Sequence, residues 1–296
     1  MAERLIEKII SLGLEKADFK YLSKDLIKKK YGFDNKSGIF FKNGGWVSPN
    51  KICSSLINHK NIKYIPKKKA KEITYKKKLW ITSCHDSSKY AASNLILCNS
   101  FGLNEISLFK SIDLKKNRGQ INWLPSKKKC GDKEIISDGG YLIPDVNGFD
   151  VFGSTYERDN ENKNLSMTDF EKNLKTYQKL SGDKREKNDA SNAGWVGWRA
   201  VTPDRTPYVG QILDESKGIC NKLRSIKDLK WHPNLFINSG YGSRGYTLAP
   251  FLSKCLASLI IGSQTSEEKE ILNYLNPSRN FIKKMGLRKK MLENSI

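Results

Sequence analysis

The sequence predicts a mixed α+β and α/β fold, with a largely antiparallel sheet over residues 106–200 enclosed by αβ segments that need not be contiguous. Three observations predict it. Residues 106–156 break into short strand-like runs, RGQINWLP, SDGGYLIP and GFDVFGSTY, divided by glycine and proline turns. The run NLILCNS is continuously apolar over residues 95–98, as in a strand buried on both faces. A second strand-like run, Leu235-Phe236-Ile237, leads through a glycine turn into a helix-like run over residues 247–261.

The elements follow in order. Residues 2–33 carry apolar positions at helical spacing (Leu5, Ile6, Ile9, Ile10, Leu12, Leu14, then Tyr21, Leu22, Leu26, Ile27), which reads as two short helices. Ser23-Lys24-Asp25 is a helix-start signal. SGIFFKNGGWVSPN reads as a strand, a Gly44-Gly45 turn and Pro49 at the head of the helix KICSSLINH. Residues 61–99 change to short strands: NIKYIP, KEITY, KLWITS and NLILCNS, with lysine runs at 67–69 and 76–78. Beyond the strand-rich middle, residues 159–181 carry a helical stripe of Phe170, Leu174, Tyr177 and Leu180. A short helix follows residue 261, then Asn276-Pro277 and a basic tail. The chain divides into segments 1–48, 49–105, 106–200, 201–275 and 276–296.

Composition narrows the function classes. The formal charge of +22 in 296 residues exceeds what solubility requires and favours a polyanionic partner, nucleic acid or an anionic surface. Lysine-rich compositional bias accounts for the same number without a partner. There is no apolar run of about 18 residues, so no membrane span is expected. The N-terminus has interspersed acids and no small-residue cleavage site, which argues against a secretory signal. Six cysteines scattered singly and three histidines suggest neither a disulfide framework nor a zinc site, so a reducing cytoplasm is the simplest compartment.

Residues 238–250, NSGYGSRGYTLAP, contain Gly240-x-Gly242-x-x-Gly245, the spacing of a dinucleotide-binding loop. That loop needs a following βαβ unit and an acid about 20 residues on, at the tip of a second strand. Here Glu267 and Glu268 fall in SEEKEILNYL, a helical pattern with no strand before it, so the dinucleotide reading fails. The physics of strand, glycine turn and helix start remains: unpaired N–H groups that suit a phosphate, a carboxylate or the electron-rich edge of a flavin ring. A tight βα turn with no ligand has the same pattern. In WRAVTPDRTPYVG, Arg199 sits among apolar residues and suits a bidentate carboxylate clamp, or equally a snorkelling surface arginine. Tyr141 and Tyr156 are pocket hydroxyls or core tyrosines.

GIFFKNGGWVSP, RGQINWLP, GGYLIP, FGSTYERD, WRAVTPDRTPYVG, LFINSGYGSRGYTLAP and LNPSR occur in this order in one family. Across residues 5–284 the chain resembles the FAD-dependent oxidoreductase half of the bifunctional bacterial enzymes that build 5-methylaminomethyl-2-thiouridine at the tRNA wobble position, relatives of glycine and D-amino-acid oxidases. The resemblance implies a glycine-oxidase-like flavoprotein with an incomplete FAD-binding domain (49–105 and 201–275), an antiparallel substrate domain (106–200) and a helical lead (1–48). It implies FAD as cofactor and tRNA as partner. The reaction it implies oxidises the C–N bond of a carboxymethylaminomethyl group, frees glyoxylate and leaves aminomethyluridine, which a SAM-dependent methyltransferase then methylates. By the same resemblance Arg199 holds the substrate carboxylate and Tyr156 lines its pocket. Gly240, Gly242, Ser243, Arg244 and Gly245 meet the flavin, with Gly44, Gly45 and Asn99 also near the cofactor.

Two departures stand out. The family's flavin domain starts with a strand–GxGxxG–helix unit for the ADP half of FAD, and this sequence begins downstream of it, so the chain is expected to be a fragment, a degraded gene product, or one half of a split enzyme whose partner chain supplies that βαβ unit. Cys98-Asn99-Ser100 stands where relatives carry Ala-Asn-Gly. The rival expectations are a small-molecule amine oxidase of the glycine- or sarcosine-oxidase kind and a non-catalytic remnant that binds RNA. Lysine clusters at 67–78, 115–118, 127–129 and 283–290 are the candidate phosphate contacts.

Overall fold

The computed structural model describes residues 2–11, 13–34, 36–106, 108–109, 112–126, 134–184, 193–215 and 229–289. The lysine cluster at 127–129, Lys290, Cys130 and Cys220 lie outside them. In order, the chain forms α1 (Ala2–Ser11), β1 (Phe19–Leu22), α2 (Lys24–Tyr31), β2 (Gly38–Phe41), α3 (Pro49–Ile57), β3 (Ala70–Lys76), β4 (Leu79–Cys84), β5 (Lys89–Ala92) and β6 (Leu95–Leu97). A 3-10 turn over Ser100–Glu105 leads to β7 (Lys115–Pro125), β8 (Ile136–Ser137), β9 (Tyr141–Val146), β10 (Phe149–Gly153) and β11 (Glu157–Arg158). Then come α4 (Met167–Ser181), β12 (Gly194–Val201), β13 (Tyr208–Leu213), β14 (Trp231–Ser239), α5 (Gly245–Ile261), α6 (Ser266–Leu275) and α7 (Arg279–Lys284).

The chain divides into two compact units that interleave along the sequence. The first comprises Met1–Tyr64, Gln120–Thr155 and Asn164–Val196. In it β7, β10, β9 and β8 form successive antiparallel pairs, with α4 packed on β9 and β10. The expected stripe of α4 is buried: Phe170, Leu174, Tyr177 and Leu180 close on Leu124, Leu142 and Phe152. Full burial of one such side chain contributes roughly 1.5–3 kcal/mol. Ser166 caps α4 by accepting from the Asp169 N–H, and Gly182 ends it in the left-handed conformation. Beneath the helix, Asn173 Nδ2 donates to Gln120 O (2.9 Å) and Asn122 Oδ1 (2.8 Å).

The second unit comprises Ile65–Gly119, Tyr156–Lys163 and Gly197–Ile296. It contains the antiparallel meander β3–β4–β5 and a three-stranded sheet ordered β13-β14-β6, in which β14 runs antiparallel to β13 and parallel to β6. Its main core gathers Trp80, Leu103, Tyr208, Ile212, Leu235 and Ile237. On the other face of the sheet, Val209 and Phe236 meet Leu252, Cys255 and Leu256 of α5 and Leu272 of α6. Thr265 and Glu268 form a capping box at the start of α6.

Three expectations are corrected. Tyr21 and Leu22 belong to a strand, β1, which pairs with β2 from Phe19↔Phe41 to Leu22↔Gly38; pairing with a distant segment overrides their helix-like spacing, and the helix starts only at the Ser23 cap. Residues 61–66 form no strand, as expected of a stretch ending in proline with no ladder partner. β6 is an edge strand with Ile96 45% exposed, and so is not buried on both faces. Within the basic C-terminal segment, Arg279 and Ile282 of α7 are buried, and Ile282 and Leu287 pack against Leu213 and Leu229.

Candidate functional site

The site grows from the parallel pair β6 and β14. Their register (Leu235↔Leu95 to Ile237↔Leu97) brings both carboxyl ends out at one side of the sheet, where ligands of open α/β sheets sit. Cys98-Asn99-Ser100 leaves β6 there, and the glycine loop leaves β14 there. Gly240 has φ +79°, and a Cβ on it would lie 2.8 Å from Thr202 Cγ2 and 3.0 Å from Leu114 Cδ2, so conformation and space both demand glycine. Tyr241 then bridges to Val201, tying the loop to β12. Its hydroxyl donates to Asn238 Oδ1, and burial pushes the phenol well above its ordinary range. A 3-10 turn over Gly242–Arg244 feeds directly into α5, whose start has no side-chain cap and no acidic residue in its first turn. A helix start without a side-chain cap or a first-turn acid suits a ligand with electron-rich oxygen or nitrogen atoms.

Arg199 lies on β12 opposite β7, two residues before the Val201 bridge. Gly119 of β7 makes room for it: a Cβ at that position would sit 2.2 Å from Arg199 Nη1 and 2.8 Å from Cζ. The guanidinium therefore lies flat against bare backbone, half-buried, with Cζ 5.7 Å from the Tyr156 ring centroid. The Tyr156 hydroxyl accepts from Asn117 Nδ2, while the ring stays 47% exposed and lines a pocket of about 310 Å³ with Asn117, Arg158, Thr202 and Arg205. A half-buried guanidinium between a glycine backbone and an aromatic ring is suited to a planar carboxylate.

Two of the sequence motifs lock this arrangement from behind. Arg279 donates to Asp204 through Nε (2.8 Å) and Nη2 (2.7 Å), to Pro207 O through Nη1 (3.0 Å), and stacks on the Tyr208 ring at 4.4 Å. Burial opposes ionisation of Asp204, but the Arg279 hydrogen bonds outweigh it and hold the carboxyl down at about 2. Arg244 Nη2 donates to Arg205 O at 2.9 Å, joining the glycine loop to the same turn.

Arg199, Tyr156, Gly240, Gly242, Ser243, Arg244, Gly245 and Asn99 all fall in the second unit. Gly44 and Gly45 fall in the first, in the turn after β2, where the Gly44 N–H donates to Phe41 O. Ser100 adopts φ +56°, a conformation that favours glycine, and Asn99 leaves no more than 3.1 Å to a Cβ on Gly102. Sequence reasoning missed Gly119, although an isolated glycine inside a strand pattern signals close approach. It also missed Asn117 and the Val201↔Tyr241 bridge, for which no local signal exists.

A groove of about 1110 Å³ runs along the open edge of β6, lined by Ile73, Trp80, Ile96, Cys98, Asn99 and His232. Among the described residues no single helix is long and apolar enough to cross a membrane.

Comparison with known proteins agrees with this architecture. The family model described as FAD dependent oxidoreductase matches residues 2–259. Among curated proteins, the tRNA 5-methylaminomethyl-2-thiouridine biosynthesis bifunctional protein MnmC of Legionella pneumophila (strain Corby) is 27% identical over 258 residues, covering 84% of this chain and 38% of the relative. That of Leptospira interrogans (strain Fiocruz L1-130) is 29% identical over 269 residues, covering 85% and 41%. The chain thus spans about two fifths of the length of these relatives. Among solved structures, glycine oxidase from Bacillus cereus ATCC 14579 superposes with a TM-score of 0.68 at 15% identity, covering 88% of this chain and 68% of that one. L-proline dehydrogenase from P. horikoshii gives 0.69 at 15%, with the same coverage. The fold is glycine-oxidase-like, and the chain belongs to the FAD dependent oxidoreductase family.

Proposed function

We propose that this chain oxidises the carboxymethylaminomethyl group of a tRNA wobble uridine, 5-carboxymethylaminomethyl-(2-thio)uridine, to give 5-aminomethyl-(2-thio)uridine and glyoxylate. The observation that carries the reading is the seat of Arg199, flat on Gly119 and beside Tyr156, two residues from the strand position that ties down the glycine loop. It is supported by relatives named for biosynthesis of the methylaminomethyl product and by the net charge of +22.

The residues fit one end of FAD. The uncapped start of α5 and the glycine turn before it suit the electron-rich edge of the isoalloxazine ring, with Asn99 on the neighbouring strand end. When bound, FAD supplies the two-electron acceptor for C–H and N–H oxidation. Arg199 binds the substrate carboxylate and fixes the methylene carbon relative to the nitrogen. Tyr156 walls the pocket and holds its hydroxyl toward Asn117. Loss of two electrons and two protons across the carboxymethyl C–N bond gives an imine; water adds to it, the C–N bond breaks, and glyoxylate leaves with the amine retained on the uridine. A SAM-dependent methyltransferase is the natural next enzyme, and a cytoplasmic setting suits the tRNA.

The ADP half of FAD has no glycine-rich strand–turn–helix among the described residues other than the loop after β14. We assign that half to a βαβ unit outside residues 1–296, pairing with the open edge of β6, whose groove and exposed Ile96 suit a further strand. Dialysed protein that kept equimolar FAD unaided would overturn this assignment. The test of the activity is product analysis with FAD present. Glyoxylate and aminomethyluridine from tRNA carrying the carboxymethylaminomethyl group, with no glyoxylate from free glycine or sarcosine, support the proposal. Turnover of the free amino acids alone makes the chain a small-molecule amine oxidase, and no turnover even with the βαβ unit supplied makes it a non-catalytic remnant.

A further inference from the structure

The charge of this chain is not spread evenly. Residues 60–89 hold ten lysines against two carboxylates, Glu72 and Asp86. In the structure this stretch is the β3–β4–β5 meander and its lead-in. In the first unit some lysines have carboxylate partners, Lys28 with Asp34, Lys30 with Glu134, and both Lys36 and Lys179 with Asp138, while Lys8, Lys16, Lys20 and Lys42 make no ion pair among the described residues. In the meander Lys68 pairs with Asp86, whereas Lys67, Lys69, Lys71, Lys76, Lys77 and Lys78 are exposed and make no ion pair among the described residues. What sets this face apart is density: six unpaired lysines fall within residues 67–78.

Backbone conformation adds an independent observation. Lys77 and Lys78 form the two-residue turn of the β3–β4 hairpin with φ of +51° and +63°, and Lys67 has φ +59°. A turn with two positive φ values favours Asn-Gly. Here the chain spends stability to set two ammonium groups at the hairpin tip, a pattern that points from an observed outlier to a function. Seven residues of β3 separate the tip from the second group at Lys67–Lys69, roughly 20 Å in extended chain. Tyr90, on β5 beside Thr82, is 36% exposed, does not line the groove along β6 and offers a ring for an unpaired base.

We propose that the β3–β4 hairpin, with Lys76, Lys77 and Lys78 at its tip and Lys67, Lys69 and Lys71 at its base, is the docking surface for the phosphodiester backbone of an RNA. This rests on the tRNA reading given above and specifies which part of the chain meets the RNA. A lipid surface fits less well, because the tip offers three consecutive lysines with no bulky apolar side chain between them to insert.

The test is fluorescence anisotropy of the full chain with a labelled, unmodified tRNA transcript across a salt series. Three variants are compared with the parent: the triple Lys76→Gln, Lys77→Gln, Lys78→Gln; the double Lys77→Asn, Lys78→Gly; and a control triple of equal charge change, Lys283→Gln, Lys284→Gln, Lys289→Gln. The proposal expects the hairpin triple to lose about 3 from the slope of log affinity against log salt, with at least a tenfold loss of affinity at 0.1 M salt. The double keeps or raises the melting temperature yet loses about 2 from the slope, which separates binding from folding. The control changes affinity by less than threefold. Equal losses in the hairpin and control triples, or an unchanged slope in the double, would overturn the proposal. So would binding of phosphatidylserine vesicles that depends on the hairpin while tRNA binding does not. Hairpin-dependent tRNA binding without glyoxylate release leaves the surface standing and refutes only the oxidase reading. Glyoxylate release with an unchanged KM for tRNA in the hairpin triple refutes the surface alone.

Discussion

Gly119→Ala separates the function of the Arg199 seat from its contribution to folding. The added methyl carbon would stand 2.2 Å from Arg199 Nη1 and 2.8 Å from Nη2. Ordinary contact between such atoms is about 3.5 Å, so the guanidinium must retreat by roughly 1.3 Å. What the methyl meets is the far end of a flexible side chain, not backbone. The cost to folding is accordingly small, about 1 kcal/mol or less, and the melting temperature should move by roughly 2–4 °C at most. The role proposed for Arg199 makes the cost to the reaction large. A displacement of about 1 Å in a substrate-holding group lowers the rate about 100-fold, equivalent to about 2.7 kcal/mol of transition-state stabilisation. The assay is glyoxylate release from carboxymethylaminomethyl tRNA, with melting followed by circular dichroism. Arg199→Lys, which keeps the charge and loses the planar fork, should match the Gly119→Ala defect, and the double variant should be no worse than either alone. Full activity in Gly119→Ala would refute the seat. A fall of 10 °C or more in melting temperature would show that Gly119 acts through stability instead.

Other outcomes follow from single positions. Gly240→Ala puts a methyl 2.8 Å from Thr202 Cγ2 at φ +79° and should destabilise by about 2–4 kcal/mol, visible as a lower urea midpoint. Ser100→Gly relieves a left-handed serine at φ +56° and should raise the midpoint, by about 0.5–1 kcal/mol. Asp204 is depressed to about 2 from an ordinary 3.8, so its contribution is fully present above about pH 4 and is lost as pH falls through about 2. Its side chain is 42% exposed and water screens the pair, so the effect is modest. The parent should be more stable than Asp204→Asn at pH 6, with the gap closing between pH 4 and pH 2; a gap independent of pH would contradict the pairing.

The sequence made helices and strands legible wherever a local period met a local signal. α4 shows its stripe of Phe170, Leu174, Tyr177 and Leu180, and the stripe holds. β7, β9 and β10 were marked by turns between alternating runs. β1 was not, because Tyr21 and Leu22 become a strand only through Phe40 and Ile39 on a later segment. β6 has the composition of a central strand but lacks a neighbour on one side. Of the site, the glycine loop and Arg199 could be singled out by residue type. What joins them could not, since the Gly119 seat, the Val201↔Tyr241 bridge and the Arg279–Asp204 lock each link residues 39 or more positions apart. The lock ties TPDRTP to NPSR: each supplies one half of a single bidentate pair.

The most direct measurement is anaerobic bleaching of the oxidised-flavin absorbance when FAD-loaded protein meets its amine. The account predicts that tRNA bearing the carboxymethylaminomethyl group bleaches the flavin and releases glyoxylate in equal amount, that Arg199→Lys slows this about 100-fold, and that free glycine leaves the flavin oxidised. Bleaching by glycine but not by the tRNA, or bleaching by the tRNA at an unchanged rate in Arg199→Lys, would contradict it.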